Sequence, residues 1–103
     1  MKGMNDMIRQ AQVMQRKMTQ AQDELKTKEV EASSGGGMVT VKCTGAQEIT
    51  EVRIEESVME AGDVEMLQDL VMTAANEALK KSKDMMEEAM KGVTGGMSIP
   101  GMF

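Results

Sequence analysis

A chain of 103 residues with a net charge of −5 and one aromatic side chain, Phe103, has room for one domain, with a core made of Met, Val, Leu, Ile and Ala. No apolar run approaches the roughly 18 residues that a membrane span needs, and no secretory leader pattern is present, so a cytoplasmic protein with no membrane contact is expected. The single Cys43 excludes an internal disulfide, and so thin a core predicts that a second copy adds stability.

Net charge alone argues against nucleic acid, because phosphate neutralisation dominates such binding. Its distribution argues otherwise. Residues 1–22 carry +3, residues 23–79 carry −9 and residues 80–103 carry +1. Basic ends around an acidic middle point toward an anionic polymer or surface.

The first element is predicted over Met4 to Lys28. Met4, Met7, Ala11, Met14, Met18, Ala21 and Leu25 step three, then four, which is a heptad seam held for three repeats. Lys2, Arg9 and Arg16 recur every seven residues on the opposite side. No proline breaks the run, and its Met, Gln, Lys, Arg and Ala residues are good helix formers. At 1.5 Å per residue the helix is roughly 37 Å long, more than a small core can cover, so part of it should project or pack on a second chain. Met7, Met14, Met18 and Leu25 are the expected core and dimer seam.

After Lys28 the period changes to alternation in Glu29-Val30-Glu31-Ala32, which predicts a strand. Gly35, Gly36 and Gly37 supply a hairpin connection. Met38 to Thr44 is a second strand, with Val39, Val41 and Cys43 on one face. Gly45-Ala46-Gln47 turns into a third over Glu48 to Glu55, so the middle is a three-stranded antiparallel meander that needs helix over one face.

Ser57 to Gly62 reads as a connection, and Asp63 as the N-cap of a long helix from Val64 to Lys91. An apolar stripe through Leu67, Leu70, Val71, Ala74, Ala75, Ala78 and Leu79 lapses at Lys80-Lys81-Ser82-Lys83-Asp84, where the core should end. Met85, Met86, Ala89 and Met90 restart a narrower seam, and Gly92 is the expected stop. The prediction is an α+β domain over 1–92, ordered α-β-β-β-α, with a flexible glycine-rich tail over 93–103.

The opening helix MIRQAQVMQRKMTQAQDEL, the stretch GGGMVTVKCTGAQEITEVRI, the MLQDLVMTAANEAL run and the GGMSIPGMF ending together resemble the YbaB/EbfC family of nucleoid-associated proteins across nearly the whole chain. The resemblance implies a homodimer with helices projecting like tweezers. It also implies a cytoplasmic, nucleoid-associated location, duplex DNA as partner and an influence on gene expression.

Candidate phosphate contacts are Lys2, Arg9, Arg16 and Lys17, with Gln12 between them able to hydrogen-bond phosphate, sugar or a base edge. Lys80, Lys81 and Lys83 are a second candidate patch. Each set is equally what a solvated helix face would carry. Nothing in the pattern specifies a base sequence. An alternative is a scaffold module that grips another protein through its Met-rich seams.

Fourteen methionines raise the possibility of Cu(I). They fall on the apolar seams and no histidine joins them, so packing is the simpler use. Cys43 alternates with valines and reads as a packed hydrophobe. The acidic residues Glu48, Glu51, Glu55, Glu56, Glu60 and Asp63 lack a nucleophile, a histidine or a calcium-loop spacing. No enzyme activity, cofactor, metal or small-molecule substrate is expected.

Overall fold

The computed structural model describes residues 2–94, with the side chains of Lys2 and Thr94 left aside. The elements run α1 (Lys2–Thr27), β1 (Glu29–Ser34), β2 (Val39–Thr44), β3 (Ile49–Ile54), α2 (Glu56–Ala61) and α3 (Val64–Thr94). The strands form one antiparallel sheet in the order β1-β2-β3, as the alternation predicts. Gly35, Gly36 and Gly37 all take positive φ, the region where glycine alone has no steric cost, and they close the first hairpin.

Ladder register determines which residues meet α3. Ala32, Val41 and Val52 are partners across the three strands, as are Ser34, Val39 and Ile54. Residues directly opposite share a face, so these rows all point to the helix side. The helix lies over β1 and β2. Val39, Val41 and Cys43 are wholly buried against Ala74 and Ala78, whose small side chains let α3 sit close to the sheet.

Polar ties fix where α3 lies. Ser34 donates to the Leu70 carbonyl at 2.6 Å, Lys81 Nζ to the Glu31 carbonyl at 2.9 Å and the Ser82 hydroxyl to the Thr44 carbonyl at 2.6 Å. α3 thus runs along the sheet, passes the root of β1 and meets α1, where Leu25 and Met85 both crowd Gly45. Beyond that point α1 and α3 run antiparallel and away from the sheet. The radius of gyration is 19.6 Å and the extents are 71 × 26 × 16 Å, against about 13 Å for a compact domain of this length.

Three local expectations change. The connection after β3 contains a helical turn and a half, α2, which buries Val58 and ends at Gly62 with φ 69°. The core does not end at Lys80–Asp84, because Ser82 is fully buried there. Its hydroxyl donates to Thr44 and accepts from the Gln47 N–H at 3.1 Å, so a polar residue occupies an apolar-face position at no unpaired cost. Gly92 does not stop the helix, which continues to Thr94; a helical glycine costs only about 1 kcal/mol. The Asp63 cap forms as expected, with Oδ1 accepting from the Met66 N–H at 3.0 Å. Of the expected tail, residues 95–103 lie outside the described residues.

Candidate nucleic-acid interface

Because α1 is one uninterrupted helix, its heptad spacing becomes two faces. The seam is fully buried only at its root: Leu25 is 3% exposed, while Met18 is 39%, Met7 70% and Met4 60% exposed. Met14 is half-buried. Residues 3–12 are all exposed, so the first half of α1 is an arm standing clear of the body.

On the far side of that arm Arg9, Gln12 and Arg16 share a face, and Arg9 and Arg16 are two turns, about 10 Å, apart. Both arginines and the adjacent Lys17 are exposed, and none has an ion-pair partner among the described residues. A shallow depression lined by Gln12, Gln15, Arg16, Thr19 and Gln20 adjoins them, with hydrogen-bonding groups and no acid. Asp6 is the only acidic residue in the first 22. Lys2 begins α1, but its side chain is outside the described ones.

The three lysines of α3 separate. Lys81 is held on the β1 backbone at Glu31 and serves the fold. Lys80 and Lys83 are exposed. They sit on the body, whereas Arg9 is sixteen residues up the arm from Leu25, roughly 24 Å along the helix. The outer end of the arm's row is therefore far from the body lysines within one chain.

On the sheet, cations are already engaged. On the sheet face opposite α3, Glu51 takes Arg53 at 2.9 Å and Lys42 at 3.7 Å. That face offers no free basic row. Residues 48–79 carry Arg53 as their one basic residue against nine acids. The charge split read from the sequence becomes a basic arm and an acidic body.

A second surface escaped the sequence reading. Ile49 pairs with Cys43 and Val52 with Val41, so both point to the helix side. Yet Ile49 is 44% and Val52 47% exposed, because one helix cannot span three strands. The signal was present in the apolar alternation of β3, but a bulge between Lys42 and Cys43 shifts its phase, leaving Thr50 as the extra residue.

Cys43 is buried, its thiol donating to the Ala78 carbonyl at 3.2 Å. Burial pushes its pKa up, with the nearby Ser82 hydroxyl acting in the opposite sense. It is a packing residue. Among the described residues no group of three or more His, Cys, Asp or Glu could hold a metal ion, and no helix is long and apolar enough to cross a membrane.

Residues 1–97 match the model of the YbaB/EbfC DNA-binding family. A nucleoid-associated protein of Alkaliphilus metalliredigens is 50% identical over 97% of this chain and 88% of its own. One from Oceanobacillus iheyensis is 50% identical over the whole of both chains. The crystal structure of an uncharacterized protein from Helicobacter pylori superposes with a TM-score of 0.72 at 28% identity, covering 80% of this chain and 86% of that one.

Proposed function

Because the chain belongs to the YbaB/EbfC DNA-binding family, we propose that it is a nucleoid-associated protein binding duplex DNA with low sequence specificity as a homodimer, and thereby influencing gene expression. The reading needs no cofactor and no small-molecule substrate. The observation that carries it is the exposed, unpaired Arg9 and Arg16 on an arm nearly free of acid.

Cations spaced along a straight helix contact successive phosphates, and such contacts position a protein without reading sequence. Lys17 and Gln12 extend the set, Lys2 lies at its tip, and Lys80 and Lys83 supply a weaker patch at the body. The acidic body is repelled by DNA, which turns the arms toward the duplex.

The homodimer is supported by the uncovered side of β3. Ile49 and Val52 extend the apolar face that α3 covers over β1 and β2, and the β3 edge is unpaired in one chain. A second copy placed there covers the apolar residues and doubles the arms. Doubling matters because counterion release scales with the number of phosphates neutralised.

Gel-shift titration of wild type and of Arg9→Glu with Arg16→Glu at several salt concentrations tests the reading. Each lost contact should reduce the slope of log affinity against log salt by about 0.9. Unchanged affinity and slope in a variant that is still dimeric would refute the arm as the DNA contact. A protein partner retained after nuclease treatment, with no DNA binding by wild type, would support the scaffold alternative instead.

A further inference from the structure

Between its arginine row and its methionine seam, α1 carries a third stripe. Asn5, Ile8, Gln12, Gln15, Thr19 and Gln22 step three, then four, so they share one face along most of the helix. All six are exposed, and the covered residues of α1, which are Val13, Met14, Ala21 and Leu25, lie off the stripe. The face is open from the tip of the arm to its root.

What the stripe lacks is charge. The charged residues of the first 22, Lys2, Asp6, Arg9, Arg16 and Lys17, all fall elsewhere around the helix. A face that is merely solvated carries charged side chains as readily as amides, and Lys and Glu form helix as well as Gln does. Solubility and propensity therefore leave the exclusion of charge unexplained. The amides are also unspent. Asn5, Gln12, Gln15 and Gln22 make no side-chain hydrogen bond among the described residues, whereas the Thr19 hydroxyl donates to the Gln15 carbonyl at 3.0 Å.

Neutral donors and acceptors beside a cationic row complement one side of duplex DNA. Base edges in the major groove are uncharged donors and acceptors flanked by phosphates, and the groove, about 12 Å wide, admits a helix about 10–12 Å across. A glutamine amide that donates to N7 of adenine and accepts from its N6 amino group makes two hydrogen bonds to one base. Gln12 and Gln15 are about 4.5 Å apart along the helix axis, against about 3.4 Å between stacked base pairs, so they meet neighbouring pairs. Ile8 offers the apolar contact that suits a thymine methyl group.

We propose that α1 enters the major groove with this stripe toward the bases, Gln12 and Gln15 contacting adenines while Arg9 and Arg16 hold the phosphates alongside. This rests on the DNA-binding reading above and assigns it a groove and a base composition. Two adenine contacts leave sequence specificity low and make A·T-containing duplex the better partner.

The test is a binding titration of wild type and of Gln12→Ala with Gln15→Ala on three duplexes of one length. One is A·T-rich, one G·C-rich, and the third repeats the A·T-rich sequence with 7-deazaadenine, whose C–H replaces N7 in the major groove. Wild type should bind the A·T-rich duplex at least about fivefold more tightly than either other. The variant, whose alanines favour helix, should bind all three alike. Its slope of log affinity against log salt should match wild type, because amides neutralise no phosphate.

Equal binding of wild type to all three duplexes would overturn the base contacts and leave the DNA reading standing. A preference for A·T that survives in the variant would come from duplex shape and overturn them equally. A wild-type preference that 7-deazaadenine does not weaken would place the arm outside the major groove, against the proposal. Wild type that binds no duplex would refute the DNA reading and this assignment with it. A nuclease-resistant protein partner lost in the variant would then give the stripe to a protein.

Discussion

Val52 lies directly across the β2–β3 ladder from Val41, on the same face of the sheet, yet Val41 is fully buried while Val52 is 47% exposed. The two differ only in whether α3 reaches them. A face buried on one strand and open on the next marks where the domain stops covering itself.

Substituting Val52→Glu separates dimerisation from folding. Val52 touches water in the single chain, so the change in its fold stability should stay within about 0.5 kcal/mol, the range of surface substitutions. A carboxylate enclosed by a second copy has no partner there and would exclude it. Sedimentation equilibrium should report a monomer with unchanged circular dichroism. A dimer of wild-type affinity would place the second copy elsewhere.

The second prediction concerns Ser82, whose hydroxyl joins the Thr44 carbonyl and the Gln47 N–H beneath the turn after β2. Ser82→Ala leaves both without that partner in a buried setting. The two groups keep each other through the turn bond from the Gln47 N–H to the Thr44 carbonyl at 3.1 Å, so the loss is that of net hydrogen bonds, about 0.5–1.5 kcal/mol each, read by urea unfolding. Val at this position should cost more, because it adds volume as well as removing the hydroxyl.

That residue also shows how far the sequence could be read. The heptad, the glycine hairpin, the alternation of Val39, Val41 and Cys43 and the Asp63 cap each express a local period or backbone preference, and each element appears where its period predicts. Ser82 does not, because a buried serine looks like a solvated one until its partners from a different element are known. The arginine row was legible as spacing along one helix. That Lys81 belongs to β1 while Lys80 and Lys83 do not depends on how a helix is rotated over a sheet, which periodicity within the helix does not fix. The open face of β3 was hidden for the same reason, since covering it depends on the width of the sheet and the reach of one helix.

Gly45 should tolerate no side chain. A Cβ there would stand 2.7 Å from Leu25 Cδ2 and 3.0 Å from the Leu25 carbonyl oxygen, and the latter is backbone that cannot swing away. The Gly45 N–H also donates to that carbonyl at 2.9 Å, so the close approach is itself a tie between the turn and the root of the arm. Gly45→Ala should cost about 1–3 kcal/mol through overpacking. Hydrogen exchange should show the loss concentrated where α1 meets α3. Gly3→Ala, with nothing near its Cβ, is the control and should leave stability unchanged or slightly raised.

The last prediction follows from the buried thiol of Cys43. Burial, the larger influence, raises its pKa in the folded state, so the folded chain holds the proton to higher pH than the unfolded chain does. Where the unfolded state has lost a proton that the folded state keeps, stability falls as pH rises. The contribution is therefore fully present below the unfolded thiol's pKa of about 8.5 and declines above it until the folded thiol also ionises. Denaturation midpoints between neutral and alkaline pH should fall in wild type more than in Cys43→Ala, the difference between the two isolating the thiol. At neutral pH the native protein should resist a thiol reagent until denaturant is added, since reaction needs both a thiolate and access. Prompt labelling of the folded chain would show that the segment between β2 and α3 opens far more readily than its packing implies.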